Sequence, residues 1–157
     1  MAHQHYKGTG RVHSFRGLLI DGDQRKIRIQ GSVGAIAWRI IKCELLIEQP
    51  GAATDYESIV KVYREEQASV DAVINFDDEE LLAAGFVTGN SSQTHYAQNT
   101  PAVVFDNALF VRNIWVTHSE ISGSQSCNYY IELEEVKVSQ AGMAQLAVAS
   151  ARSARKV

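Results

Sequence analysis

Cysteine and proline are scarce in this chain, with two of each in 157 residues. Cys43 and Cys127 are too few for a disulfide framework, and neither stands in the CxxC or Cys/His spacing of a structural zinc site. They read as two reduced, buried thiols, with a single bridge between distant strands as the alternative. Long apolar runs are missing too. Ile40-Ile41 and Leu45-Leu46-Ile47 are interrupted by Lys42 and Glu44, whereas a spanning helix needs roughly 20 nearly uncharged residues, so no membrane partner is expected. The opening Met-Ala-His-Gln-His-Tyr-Lys-Gly lacks the apolar stretch of a secretory signal, which predicts a chain made in a reducing cytoplasm. Charge of one sign is also absent in bulk. Fifteen Lys+Arg against 18 Asp+Glu leave a net charge of -3, which gives no overall attraction to nucleic acid or an anionic surface.

What is present is a core. Hydrophobic residues make up 45% of the chain, enough for one domain to fold without metal or disulfide support. Most of the sequence runs at a strand's period. Val12 to Ile20 and Gln24 to Gln30 flank Asp21-Gly22-Asp23, the signature of a tight hairpin. Ile36 to Glu48 follows, and its apolar parity slips at Ile40-Ile41, which predicts a bulge or a strand that changes sheets. Ser58 to Arg64 and Ser69 to Phe76 read as strands. Asp77 to Gly85 (DDEELLAAG) reads as a two-turn helix with Asp77 at its cap and Gly85 at its exit. Gly89 to Thr100 is a polar loop long enough to bind something or to be held by a neighbour.

Beyond Pro101, Ala102 to Phe105 is expected to be a short strand and Asp106-Asn107 a turn. Leu109 to Thr117 is apolar on both parities, as in a strand covered on both faces. Asn128 to Val138 closes the β region, with a parity change that predicts a second bulge near Glu134-Glu135. Ser139 to Val157 is Ala-rich, and Met143, Leu146 with Ala147, and Ser150 with Ala151 share one helical stripe. Eight or so strands with one short helix predict an all-β fold: an antiparallel β-sandwich or jelly roll over residues 11–138. An amino-terminal arm (1–10) and an Ala-rich carboxyl-terminal arm (139–157) that carries the helical stripe flank it.

No constellation argues for an enzyme, and no cofactor or metal is implied. His3 and His5 would share a strand face, yet no third ligand at fixed spacing accompanies them. His118 could act as a base beside Asp106 or Glu120, but a hydrogen-bonded strand-end histidine explains it more simply. Asp21-Gly22-Asp23 lacks the remaining ligands of a calcium loop, and Asp77 to Glu80 is explained by a helix amino terminus. Glu132, Glu134 and Glu135 could pair as carboxylates for glycoside hydrolysis, although a solvated strand face explains them.

Charge layout says more than total charge. Residues 1–30 hold Lys7, Arg11, Arg16, Arg25, Lys26 and Arg28 against Asp21 and Asp23, a balance of +4. Residues 54–80 hold nine acids against Lys61 and Arg64, a balance of -7. Arg152, Arg155 and Lys156 make the tail basic. Such segregation suits a surface that meets an opposite patch on a neighbouring copy, or segments that pair within one molecule.

Val104-Phe105-Asp106-Asn107, Leu109 to His118 (LFVRNIWVTH) and Asn128 to Val138 (NYYIELEEVKV) together resemble the carboxyl-terminal part of β-rich virion structural proteins of bacteriophages, especially marine ones. Gln24 to Ile41, with its Gly-x-x-Gly, and DDEELLAAG look similar too. The Ala-rich basic tail departs from the pattern. The resemblance implies a capsid-associated (coat, decoration or vertex) or tail component, assembled in the host cytoplasm and working through repeated self-contacts. Its partners would be copies of itself and other virion proteins. Intersubunit contacts would then come from His3, His5 and Lys7 in one arm and Met143, Leu146, Arg152, Arg155 and Lys156 in the other, whose basic residues could also touch packaged nucleic acid. The alternative is a carbohydrate-binding module of a host-recognition appendage, with His95, Tyr96 and Asn99 in its binding loop.

Overall fold

The computed structural model describes residues 7–29, 36–51, 54–90, 98–99 and 101–153. Strands β1 (Gly8–Leu19), β2 (Gln24–Ile27), β3 (Ile36–Ile47), β4 (Tyr56–Tyr63), β5 (Leu81–Gly89), β6 (Gln98–Asn99), β7 (Val103–Val104), β8 (Ile114–Glu120) and β9 (Cys127–Lys137) precede helix α1 (Gln140–Ser153). They build two antiparallel sheets. The smaller has the order β1-β9-β3; the larger runs β2-β8-β4-β5-β6, with β7 also paired to β5. One isolated antiparallel bridge, Trp38 to Phe110, adds a single residue beyond β3.

The central strand of the small sheet shows why this sequence chooses β structure. Along β9, Cys127, Tyr129, Ile131 and Leu133 are buried while Asn128, Tyr130, Glu132 and Glu134 are half-buried on the opposite parity. Period-two alternation of this kind puts one face on a core and one towards water. The inward residues join Leu19, Ile40, Leu45 and Ile47 from the same sheet and Val60, Val62, Leu82, Val87, Ile114 and Val116 from the other in one hydrophobic cluster. That cluster makes the two sheets a sandwich-like pair, and the all-β expectation holds at this level. The bulge expected at Ile40-Ile41 is present, because the β3–β9 register shifts between Ile40 and Lys42.

Several local expectations are corrected. Asp21-Gly22-Asp23 does form a turn, with Gly22 at φ +78°, but β1 pairs with β9 and β2 with β8. The turn is a corner between sheets, stitched to β8: Gly22 N donates to His118 O at 2.9 Å and His118 N donates to Asp23 O at 3.0 Å. The irregularity expected at Glu134-Glu135 lies instead on the neighbouring strand, where the β1–β9 register shifts between Gly8 and Val12. β1 therefore begins inside the segment expected to be an arm.

The helix expected at Asp77 to Gly85 is absent. Asp78 O accepts from Leu81 N at 3.1 Å and Asp78 Oδ1 from Glu80 N at 2.9 Å, so the cap-forming residues close turns. Leu81–Gly85 then continue as β5, buried at every position. Two helical turns form few internal bonds and must cover nucleation, whereas β5 pairs with β4 along its whole length. Ser69 to Phe76 is likewise no strand; Asp71 and Val73 O instead hold Lys61 Nζ at 2.7 and 2.6 Å. The apolar run Leu109 to Thr117 divides between sheets: Phe110 bridges Trp38, and β8 starts only at Ile114. Between them, Asn113 Oδ1 accepts from Ile29 N at 3.0 Å.

The carboxyl-terminal segment is helical. Ser139 caps it, its Oγ accepting from Gly142 N at 3.0 Å, and Leu146 packs on a small cluster of Ala37, Leu109 and Val136. Ala147, Val148 and Ala151, farther along, are exposed. Among the described residues no helix is long and apolar enough to cross a membrane.

Candidate functional site

One end of the larger sheet is organised by a buried carboxylate. Glu120, the last residue of β8, is 7% exposed. Its Oε1 accepts from Glu57 N at 2.6 Å and from Ser122 N and Gly123 N at 3.1 Å each, while its Oε2 accepts from the Ser58 hydroxyl. Its own N–H donates to Asp21 Oδ1 at 2.8 Å. The carboxylate ties β8 to β4 and to the 122–123 turn, and the backbone N–H ties the same residue to the sheet-to-sheet corner. His118, two residues earlier, is fully buried, and neither ring nitrogen has a hydrogen-bond partner. The expected hydrogen-bonded strand-end histidine is thus an interior residue of β8 whose polar contacts run through its backbone.

Lys61 on β4 is buried as well. Burial opposes its charge, but hydrogen bonds to Asp71 and Tyr63 outweigh burial and raise its pKa. Lys61 in turn draws the Asp71 carboxyl below its ordinary value. This pair pins the 65–80 loop to the sheet. Cys43 and Cys127 are both free, and burial pushes each thiol up to about 12. Among the described residues no group of three or more His, Cys, Asp or Glu is placed to hold a metal ion.

An open groove of about 1130 Å³ runs along the small sheet. Arg16 and Leu18 of β1, Lys42, Glu44 and Leu46 of β3, Asn128 and Tyr130 of β9, and Pro101 and Ala102 before β7 line it. Register explains the grouping: Leu18, Asn128 and Leu46 form one row across the three strands, and Arg16, Tyr130 and Glu44 the next. Lys42 Nζ lies 3.3 Å from Glu44 Oε1, which raises the lysine pKa, and 6.0 Å from the Tyr130 ring centroid. The Tyr130 hydroxyl donates to Glu132 Oε1 at 2.8 Å, which raises its own pKa. Leu46 is 60% and Leu18 37% exposed. The groove thus combines the apolar side chains of Leu18 and Leu46 and the Tyr130 ring with charged groups of both signs. The signal in the sequence was an apolar residue on the water-facing parity, Leu18 after Ser14 and Arg16, and Leu46 after Lys42 and Glu44.

The residues expected at contacts are dispersed. His3, His5, Arg155 and Lys156 lie outside the described residues, as do His95 and Tyr96. Lys7 is exposed immediately before β1, and Asn99 sits in β6 opposite Val87. Met143 and Leu146 are half-buried on α1, where Leu146 belongs to the chain's own packing, and Arg152 lies near the end of that helix. Ion pairs among the described residues include Arg39 with Glu134, Lys61 with Asp71, Lys42 with Glu44, Arg25 with Asp23 and His13 with Glu135. No protein-family model and no curated protein matches the chain.

Proposed function

We propose that this chain is a virion structural protein, a capsid-associated or tail component that assembles through repeated contacts between its own copies. The observation that carries the proposal is the nesting of its strand pairs. β1 pairs with β9, β2 with β8, β3 with the Phe110 bridge, and β4 with β5. First goes with last, second with next to last, and so inward, as in one long hairpin wound over itself. We read this nesting as the pairing of a jelly roll in which the partner of β3 is the single residue Phe110, and jelly rolls recur in viral coats and in lectins. The groove on the small sheet adds support. The resemblance of LFVRNIWVTH and NYYIELEEVKV to phage structural proteins favours the coat over the lectin.

In this reading the basic residues Arg152, Arg155 and Lys156 meet acidic neighbours in the virion, and assembly takes place in the host cytoplasm. Reversing all three charges in the full chain should lower the oligomer mass measured by light scattering while leaving the far-ultraviolet spectrum unchanged. An unaltered mass would remove the tail from the account.

The groove supports a second reading, a carbohydrate-binding module, because Tyr130 with Asn128, Glu44 and Arg16 offers a stacking ring among hydrogen-bonding groups. Glycan-array binding that is lost in Tyr130→Ala would favour it; silence on the array would leave the structural role.

A further inference from the structure

Strand β1 is a long edge strand of the small sheet. The larger sheet ends in the four-residue β2 on one side and the two-residue β6 and β7 on the other. The far side of β3 is engaged at Trp38, whose N–H and C=O bond Phe110 at 2.8 and 2.9 Å. β1 runs for 12 residues and, among the described residues, forms a ladder with β9 alone. Shortening or covering an edge is the common protection against edge-to-edge pairing. β1 has neither.

Two independent bonds show which of its groups are open. In an antiparallel pair a residue's N–H and C=O point to the same side. Glu48 N donates to Ser126 O at 3.0 Å, so even-numbered residues of β9 bond towards β3 and odd-numbered ones towards β1. The partners of the odd set are His13, Phe15, Gly17 and Leu19. Val12, Ser14, Arg16 and Leu18 therefore turn their backbone groups away from β9, and the Leu18 carbonyl is met there by Arg25 Nη2 at 3.0 Å. Val12, Ser14 and Arg16 remain as an open row. Gly10, at φ +83°, ends the regular edge on the amino-terminal side.

We propose that β1 pairs antiparallel with β1 of a second copy about a two-fold axis at Ser14, joining two small sheets into one of six strands. The proposal rests on the self-assembly reading and names its interface. In this register Ser14 faces Ser14, Val12 of each copy faces Arg16 of the other, and every one of these pairs exchanges two N–H···O=C bonds. On the alternate parity, His13 of each copy meets Phe15 of the other, an aromatic cross-strand pair. The two Arg16 side chains are offset by four residues, roughly 13 Å, which exceeds the Debye length at physiological salt.

A second copy is the occupant because the edge is self-complementary in charge. Lys7, Arg11 and Arg16 place bases on or beside β1, whereas Glu132, Glu134 and Glu135 sit one strand behind it on β9. Val12 is in register with Glu134, so the two-fold arrangement sets Arg16 of one copy in the row that leads to Glu134 of the other. An isologous contact uses both signs at once, as two-fold interfaces do.

The test uses the full chain. Ser14→Pro deletes the outward N–H at the axis and leaves the bonds to β9 intact; Ser14→Ala is its control. Sedimentation should show Ser14→Ala associating as the wild type does and Ser14→Pro weakened by roughly 30-fold, since the two bonds at the axis are lost. Amide exchange on the wild type gives an answer that does not depend on the variant's folding: the Val12, Ser14 and Arg16 amides should be protected in the associated protein and exchange freely on dilution. An oligomer whose mass survives Ser14→Pro and whose Val12, Ser14 and Arg16 amides exchange freely would overturn the β1 interface but leave self-assembly standing. A wild type that stays monomeric at every concentration would overturn both.

Discussion

Replacing Glu120 by alanine gives the sharpest test of what ties the end of β8 to β4 and to the following turn. The carboxylate is 7% exposed and accepts from two backbone or hydroxyl groups on β4, Glu57 N and Ser58 Oγ, and from two loop amides, Ser122 N and Gly123 N. Without it, the Ser122 and Gly123 amides, on an exposed turn, can turn to water. The donors on β4 cannot, Ser58 being fully buried. A buried donor left without an acceptor costs about 1–3 kcal/mol, so the pair on β4 sets the loss at about 3–4 kcal/mol, a large share of a domain's stability. Glu120→Gln keeps Oε1 in place and lets the Ser58 hydroxyl rotate to accept, so it should cost only about 1 kcal/mol. Urea unfolding followed by circular dichroism measures both, with an unchanged slope as the check that the same surface is exposed. If Glu120→Ala lies within 1 kcal/mol of wild type, or if Glu120→Gln is equally damaging, the carboxylate is not the tie described here.

Other outcomes follow from the same packing. Leu133→Ala, at a fully buried position of β9, should cost about 3 kcal/mol in the same assay. Gly85→Val should cost about 2–3 kcal/mol, because even a Cβ there would stand 2.9 Å from Ala102 Cβ and 3.0 Å from Leu45 Cδ1; a neutral result would mean that the 101–104 segment is not seated on β5. Cys43 and Cys127, pushed up to about 12 by burial, should react with a thiol reagent at pH 8 only as fast as the protein unfolds, and rapid labelling of the native protein would contradict their burial. The Asp71 carboxyl, held low chiefly by the Lys61 hydrogen bond, contributes stability above the unfolded carboxyl pKa near 4, which is lost as pH falls through its lower folded value. Acid should therefore raise amide exchange in the 70–74 loop before it does so in β9, and simultaneous loss would assign no local role to the pair.

What the sequence made legible follows from which signals are local. The bulge at Ile40-Ile41 was visible because a parity slip between Trp38-Ile40 and Cys43-Leu45-Ile47 leaves its trace in one strand. β9 was visible because one of its faces meets water. The corner at Asp21-Gly22-Asp23 could not be read, since Asp-Gly encodes a tight turn without saying whether the strands it joins pair with each other. DDEELLAAG carries real helix-capping chemistry, and only the neighbouring strand β4, distant in sequence, turns Leu81–Gly85 into a strand covered on both faces. The open edge of β1 left a faint trace: Val12, His13, Ser14 and Arg16 are exposed on both parities, a pattern that fits neither a buried strand nor an amphipathic one. The groove was foreshadowed by Leu18 and Leu46, each apolar on a polar parity, but its assembly depends on the order β1-β9-β3, which no local motif specifies.

Sedimentation velocity of the purified full-length chain over a wide concentration range tests the central claim most directly. If copies join through β1 as proposed, the protein should populate discrete species at even multiples of the 17.3 kDa chain, with the smallest of them growing as concentration rises. A single species at 17.3 kDa throughout would contradict the account.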